Sequence, residues 1–231
     1  MTADAMQGAL FTHRNHYLFA DYYLDRRACA RQEWREADAG SAFAAVVALW
    51  RKYKPQGYNE AQTEADWIRP VLEALGHRYN VQVGMQTPLG AKVPDYVFYP
   101  DEATRQAAKR GVLTEADFQG ALAVGDAKAW ERQLDRAAPK AVSTLHENPS
   151  LQIDTYIRHS GLPWGILTNG RLWRLYHKDT SKKLDVYYEV DLPALIEQGN
   201  VEAFKYFWLF FRRQAFVSDA AAPGWLDLVL A

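Results

Sequence analysis

ALAVGDAK, residues 121–128, decides how the rest of the chain is read. It reads as a short buried strand, and side chains two apart on a strand share a face. Asp126 and Lys128 therefore project together, on the side of Leu122 and Val124, at the end of an apolar run. A carboxylate and an ammonium displayed this way can share a metal ion, a water and a phosphate. Alone the triplet says little, since roughly one or two acid-x-Lys triplets arise by chance at ordinary charged-residue usage. The elements before and after it give it weight.

The 231 residues are 48% hydrophobic and 24% charged, enough to bury the core of one large domain. A formal net charge of −1 excludes a positive field over the whole protein, so any nucleic-acid contact must be a local patch. The single cysteine, Cys29, excludes a disulfide framework and suits a reducing cytoplasm. No stretch is long and apolar enough to span a bilayer, and the N-terminus lacks an apolar signal region. A cytoplasmic location with no membrane partner is the expectation.

Upstream of the strand, residues 59–76 (NEAQTEADWIRPVLEALG) form a predicted helix opened by Asn59, with Gln62 at the capping-box position and Gly76 as a stop. Glu60, Glu64, Ile68 and Leu72 fall along one i, i+4 row, which aligns Glu64 with the apolar stripe. A carboxylate aimed at a core is costly unless compensated, although a first-turn acid favoured by the helix dipole explains Glu60 readily. Pro70 predicts a kink. The alternation of Tyr79, Val81, Val83 and Met85 predicts one strand over 78–86. The next, over 93–99, carries Val93, Asp95, Val97 and Tyr99 on one face, so Asp95 is a second acid on an apolar side. Position alone also permits a strand-entry role for it beside Pro94.

Further upstream, residues 1–38 show a patchy helical pattern containing His13 and His16, best read as solvated or core-edge histidines. A clearer packing helix runs from Ser41 to a stop at Pro55 and Gly57. Downstream, residues 130–142 (WERQLDRAAPKAV) place Arg132, Arg136 and Lys140 at i, i+4 spacing. Such a row is usually a solvated helix face, and beside a phosphate-cleaving centre it can meet DNA, as can Arg171. Asn148-Pro149 opens a helix on which Gln152 and Tyr156 lie one turn apart. LPWGILT and RLWRLYHK flank Asn169-Gly170, the signature of a hairpin with a type I′ turn. A strand over 185–190 and an aromatic helix over 201–216 follow, and residues 218–231 read as the start of a linker. No internal repeat, phosphate-binding glycine loop, zinc spacing or nucleophile elbow occurs.

A helix with an inward Glu, a strand with Pro-Asp, a strand with Asp-x-Lys and a helix with Gln and Tyr thus come in order. Glu64, Asp95 and Asp126 gathered at one point could not all stay ionised without a cation, and all-oxygen ligands suit Mg²⁺ or Mn²⁺. On Pro94-Asp95, Asp126-Ala127-Lys128, Glu64 and the Gln152/Tyr156 pair, the chain resembles the PD-(D/E)xK nuclease superfamily. NEAQTEADWIRPVLEALG, VGDAKAWERQLD and LPWGILTNGRLWRLY resemble the N-terminal nuclease region of type IIG and type ISP restriction–modification proteins, over roughly residues 10–215.

That resemblance implies an α/β fold, with a central mixed β-sheet flanked by helices and helical extensions at both ends. The corresponding division is a helical extension over 1–58, a nuclease core over 59–190 and a C-terminal helix over 191–231, leading to a methyltransferase region. It implies an Mg²⁺-dependent restriction endonuclease acting on double-stranded DNA. Asp95 and Asp126 would hold the metal, with Glu64, or else Glu60, contributing. Lys128 would orient or activate the attacking water, and Gln152 and Tyr156 would support the site or the DNA backbone. Target-recognition and methyltransferase regions of the same polypeptide, and a transient dimer on DNA, are the implied partners. Asp126 stands where Glu is commoner, and neither an S-adenosylmethionine loop nor an NPPY-type element is present. The alternative is a catalytically silent DNA-binding or protein-interaction module of the same fold.

Overall fold

The computed structural model describes residues 13–88, 90–136, 148–218 and 223–231. Its strands among these are β1 (His13–His16), β2 (Arg78–Val81), β3 (Gly84–Thr87), β4 (Gly90–Lys92), β5 (Tyr96–Tyr99), β6 (Val112–Leu113), β7 (Ala123–Ala127), β8 (Trp164–Thr168), β9 (Leu172–His177) and β10 (Tyr187–Asp191). Seven make one mixed sheet in the order β1-β10-β9-β8-β7-β5-β2, in which only β7 and β8 run parallel. A small sheet, β4-β3-β6, accompanies it. The fold is α/β, as its sequence implied.

Helices cover both faces. On one side lie α1 (Gly40–Tyr53), α2 (residues 60–74), and, after the short α3 (Glu102–Ala107) and α4 (Pro149–Ser160), α5 (Leu192–Gln198) and α6 (Val201–Phe211). Their Trp67, Phe204, Phe207 and Phe211 pack with Tyr96, Phe98, Trp173 and Tyr188 of the sheet. On the other side α4 and the small sheet cover Val97, Val124, Leu167 and Tyr176. Strand β7 is interior to the sheet, and all five of its residues are buried, which is why it reads as a continuous apolar run. Helix α4 sits tightly on the strands because Gly165 beneath it has no side chain: a Cβ there would come 2.7 Å from Ile157 Cδ1.

Several local expectations change. Residues 13–16 form edge strand β1, not helix, pairing with β10 and stacking His16 on Tyr187 and His13 on Tyr206. The expected strand over 78–86 is two strands in different sheets, broken where Gln82 takes a φ of 50°. Residues 130–136 are turn and bend, not helix. In the hairpin between β8 and β9 only Gly170 has positive φ, at 82°, so the turn is not type I′. Instead the Asn169 carboxamide oxygen accepts the N–H groups of Arg171 and Leu172, the local competition in which Asn excels. The aromatic face of α6 is spent inside the chain, and Trp225 and Leu226 of α7 (Trp225–Leu230) are buried in the same core rather than leading away from it. No described helix is long and apolar enough to cross a membrane.

Candidate active site

Strands β5 and β7 run antiparallel, with Tyr96 opposite Gly125 and Val97 opposite Val124. One further step of that register sets Asp95 opposite Asp126. Opposed residues on neighbouring strands point to the same face, here the face covered by α4. The Asp95 Oδ2 accepts the Ala127 backbone N–H at 2.7 Å, which fixes its orientation toward the end of β7. Lys128, two residues beyond Asp126, returns its ammonium to the Asp126 Oδ2 at 2.5 Å. Its own backbone N–H is held by the Thr168 carbonyl of β8.

The electrostatics follow from this crowding. Asp126 is 3% exposed, and burial first, then the charge of Asp95, pushes its carboxyl up to about 7, against the pull of Lys128. The two carboxyls share a hydrogen bond that stabilises ionised Asp95, whose pKa is nonetheless raised by burial. Burial also works against the Lys128 ammonium, yet Asp126, Asp95 and Glu60 outweigh it and its pKa rises. The Asp126 Oδ2 is sealed from solvent and meets the ammonium without the alignment of a hydrogen bond. A pair of carboxyls with one of them driven toward its protonated form is a donor set that a hard divalent cation would relieve, and two carboxylates plus water is an ordinary Mg²⁺ environment. No three His, Cys, Asp or Glu side chains among the described residues gather as a ready metal cluster.

The structure brings Asp95 and Asp126 together while the Glu64 carboxylate, whose charge still acts on Asp95, is bonded elsewhere, and the cause lies in α2. Its N-terminus has the predicted capping box between Asn59 and Gln62. Pro70 has no N–H, and its ring would collide with the carbonyl four residues back. The helix meets this with a widened π-type turn over Thr63–Ile68, closed by the Arg69 N–H on the Glu64 carbonyl. Glu64 consequently faces the aromatic side of the sheet. Its Oε2 accepts the Tyr96 hydroxyl at 2.9 Å and pairs with Arg69 at 3.2 Å. Glu60, one turn earlier on the exposed rim, interacts with Lys128 and Asp95 and accepts the backbone N–H of Ala129. Burial first, and then the charges of Asp95 and Glu64, raise its carboxyl, with Lys128 opposing. Of the two, Glu60 is the acid that the Lys128 ammonium feels.

Helix α4 brings Tyr156 over the same centre: its hydroxyl donates to the Val93 carbonyl at 3.3 Å, just before Asp95. Burial, and then the charges of Asp126, Asp95 and Glu60, push its pKa up. Gln152 lies one turn before it, partly buried. The Ser150 hydroxyl ties the start of α4 to the Leu134 carbonyl at 2.8 Å and to Tyr176 at 2.9 Å. The basic row does not form as expected. The carbonyl of Arg132 receives the Asn169 amide, Arg136 lies in an irregular exposed stretch, and Lys140 is outside the described residues. Arg171 is bound by Asp191 at 2.9 Å, on the rim of the hairpin. Sequence reasoning missed the backbone groups that orient the acids, the N–H of Ala127 and of Ala129, because main-chain donors leave no mark on residue type.

No protein-family model matches the chain, and no solved structure does. Over 140 residues, 60% of its length, the chain is 28% identical to a protein of Methanocaldococcus jannaschii named "Putative type II restriction enzyme and methyltransferase". The match takes in 10% of that protein. The chain is thus related in sequence to a restriction–modification protein many times longer than the segment they share.

Proposed function

We propose that the chain is a metal-dependent DNA endonuclease module of a restriction–modification protein, built on a PD-(D/E)xK core. The observation that carries this is the juxtaposition of Asp95, Asp126 and Lys128 on adjoining strands, with carboxyls that crowd one another and an ammonium beside them. The relative's name is consistent with it. Asp95 and Asp126 would hold Mg²⁺, for which Mn²⁺ could substitute, with Glu60 contributing through water. The bound ion would lower the pKa of the attacking water and offset charge on the phosphoryl oxygens.

The chain's own groups divide the remaining work. Lys128, kept protonated by the acids around it, cannot take a proton from water. It acts as a donor that orients the nucleophile and stabilises the charge that develops as the new P–O bond forms and the old one breaks. Tyr156 and Gln152 back the acids from α4. Double-stranded DNA is the substrate, target recognition and methylation belong to other regions of the full polypeptide, and cutting both strands uses a transient pair of copies.

Incubating the chain with supercoiled plasmid and Mg²⁺ or Mn²⁺ tests this reading. Conversion to nicked or linear forms is expected, abolished by EDTA and by Asp126→Asn. Equal conversion by the Asp126→Asn chain would remove the assignment. The silent-module reading has one observation behind it, the absence of a three-ligand cluster among the described residues. It predicts DNA binding without divalent ions and no turnover with any of them.

A further inference from the structure

Beside Asp95, on the side away from β7, the end of β2 and the turn after α3 enclose a cleft of about 340 Å³ lined by Asn80, Val81, Gln82, Lys109, Arg110 and Gly111. Its tie to the candidate site is direct: the Gln82 backbone N–H donates to the Asp95 carbonyl at 3.0 Å. Strand β2 forms the open edge of the main sheet, and successive strands are about 5 Å apart. The cleft therefore lies roughly 5–10 Å from the Asp95–Asp126 pair. Its walls are firm. The Asn80 amide and the Arg105 guanidinium hold β2 to α3, and β3 and β6 approach so closely that a Cβ on Gly84 would come 3.1 Å from the Gly111 carbonyl.

The charge in the cleft is positive and partly uncommitted. Lys109 is paired with Asp117. Arg110 is exposed and has no acidic partner among the described residues. Gly111, at φ 101°, leaves the space beside it open. Arg110 thus stands, without an acidic partner among the described residues, at the mouth of a firm cleft whose Gln82 N–H is bonded to the Asp95 carbonyl, a place where a phosphate can be met.

We infer that this cleft holds the DNA backbone next to the bond being cut, with Arg110 on a phosphate one to three steps along the strand. A duplex strand carries a phosphate about every 3.4 Å of its axis, which matches the offset of the cleft. The inference rests on the proposed nuclease reading and adds the track along which substrate lies.

The test measures binding of the chain to a mixed-sequence duplex oligonucleotide in EDTA, across a series of salt concentrations. Arg110→Ala should weaken binding at every salt concentration and reduce the slope of log affinity against log salt by about 0.9, the mark of one lost phosphate contact. Arg110→Glu should weaken it further, while Arg51→Ala, the loss of an equally exposed charge on α1, should leave the slope unchanged. Normal binding by the parent with an unchanged slope in Arg110→Ala would overturn the cleft assignment and leave the nuclease reading intact. Absence of duplex binding by the parent would overturn the cleft assignment, and only the further absence of plasmid nicking in Mg²⁺ or Mn²⁺ would overturn the nuclease reading as well.

Discussion

The two faces of the central sheet are built from the same strands and do opposite things with polar groups. On the aromatic face two indoles and Glu64 find partners within the chain, although Arg69 Nε, His77 Nδ1 and Trp225 Nε1 are buried without one. The Trp67 and Trp173 indoles both donate to the Gly170 carbonyl, at 2.7 and 3.1 Å, and Glu64 is matched by Tyr96 and Arg69. On the face under α4, at the ends of β5 and β7, two acids and a lysine are crowded together with one carboxyl pushed far from its ordinary value. Burying ionisable groups this way opposes stability. Local conflict with folding rules tends to sit where a protein works, and the crowded acids under α4 support the proposed site on that ground.

The largest effect expected from that contrast is on cleavage. Asp126→Ala or Lys128→Ala should lower the rate of divalent-ion-dependent DNA nicking about 10³-fold or more, with the variants still folded by circular dichroism. A residual rate within tenfold of the parent would mean that the crowded face is only a packing compromise.

Next in size are two opposed pH slopes, measured by urea unfolding in EDTA. His77, buried against Phe98 with its Nε2 2.6 Å from the Phe211 carbonyl, has its pKa lowered by burial to about 4. Its folded pKa lies below the unfolded value near 6.5, so its contribution is whole above pH 6.5 and is lost as pH falls toward 4. The loss amounts to about 3 kcal/mol. Asp126 has the reverse sign. Its folded pKa is raised to about 7, so stability associated with it is present below pH 4 and lost as pH rises through 7. Relative to the parent, His77→Asn should gain as the solution is acidified, and Asp126→Asn should gain as it is brought to neutrality. Parallel pH profiles for both variants would erase the distinction between the faces.

The two acids of α2 sharpen it further. Glu60→Gln should slow nicking about 10- to 100-fold with little change in unfolding midpoint. Glu64→Ala should leave the rate per folded molecule near the parent's and cost about 1–3 kcal/mol, since it strands the Tyr96 hydroxyl and Arg69. The reverse pattern would return the site to Glu64. Smallest of all, Arg171→Ala removes an ion pair that is 57% exposed on the arginine side. It should change stability by less than about 1 kcal/mol.

Much of this arrangement is legible in the chain. The apolar run with Asp126 and Lys128 two apart, the alternation that places Asp95 with Val97 and Tyr99, and Asn148-Pro149 opening α4 are short-range patterns, and the elements follow them. The direction of the Glu64 side chain is not legible in the sequence, because an i, i+4 row assumes a regular helix, whereas Pro70 is accommodated by a wider turn that shifts the phase. Residues 13–16 fall within a helix-like spacing of Leu10, Phe11, Leu18, Phe19, Tyr22 and Tyr23, and the pairing with β10 that makes them a strand is not visible in that spacing. The arginine row from 132 needed a helix that its surroundings do not supply. Arg110 went unnoticed because its meaning comes from β2 and β5, which meet only in the fold.

The central claim is that Asp95 and Asp126 form a metal-binding pair, and crystals soaked in Mn²⁺ test it most directly by anomalous scattering. A peak within coordinating distance of both carboxylates, with the Lys128 ammonium withdrawn from the Asp126 Oδ2, is the predicted result. No peak at saturating Mn²⁺, with Lys128 still seated on Asp126, would contradict it.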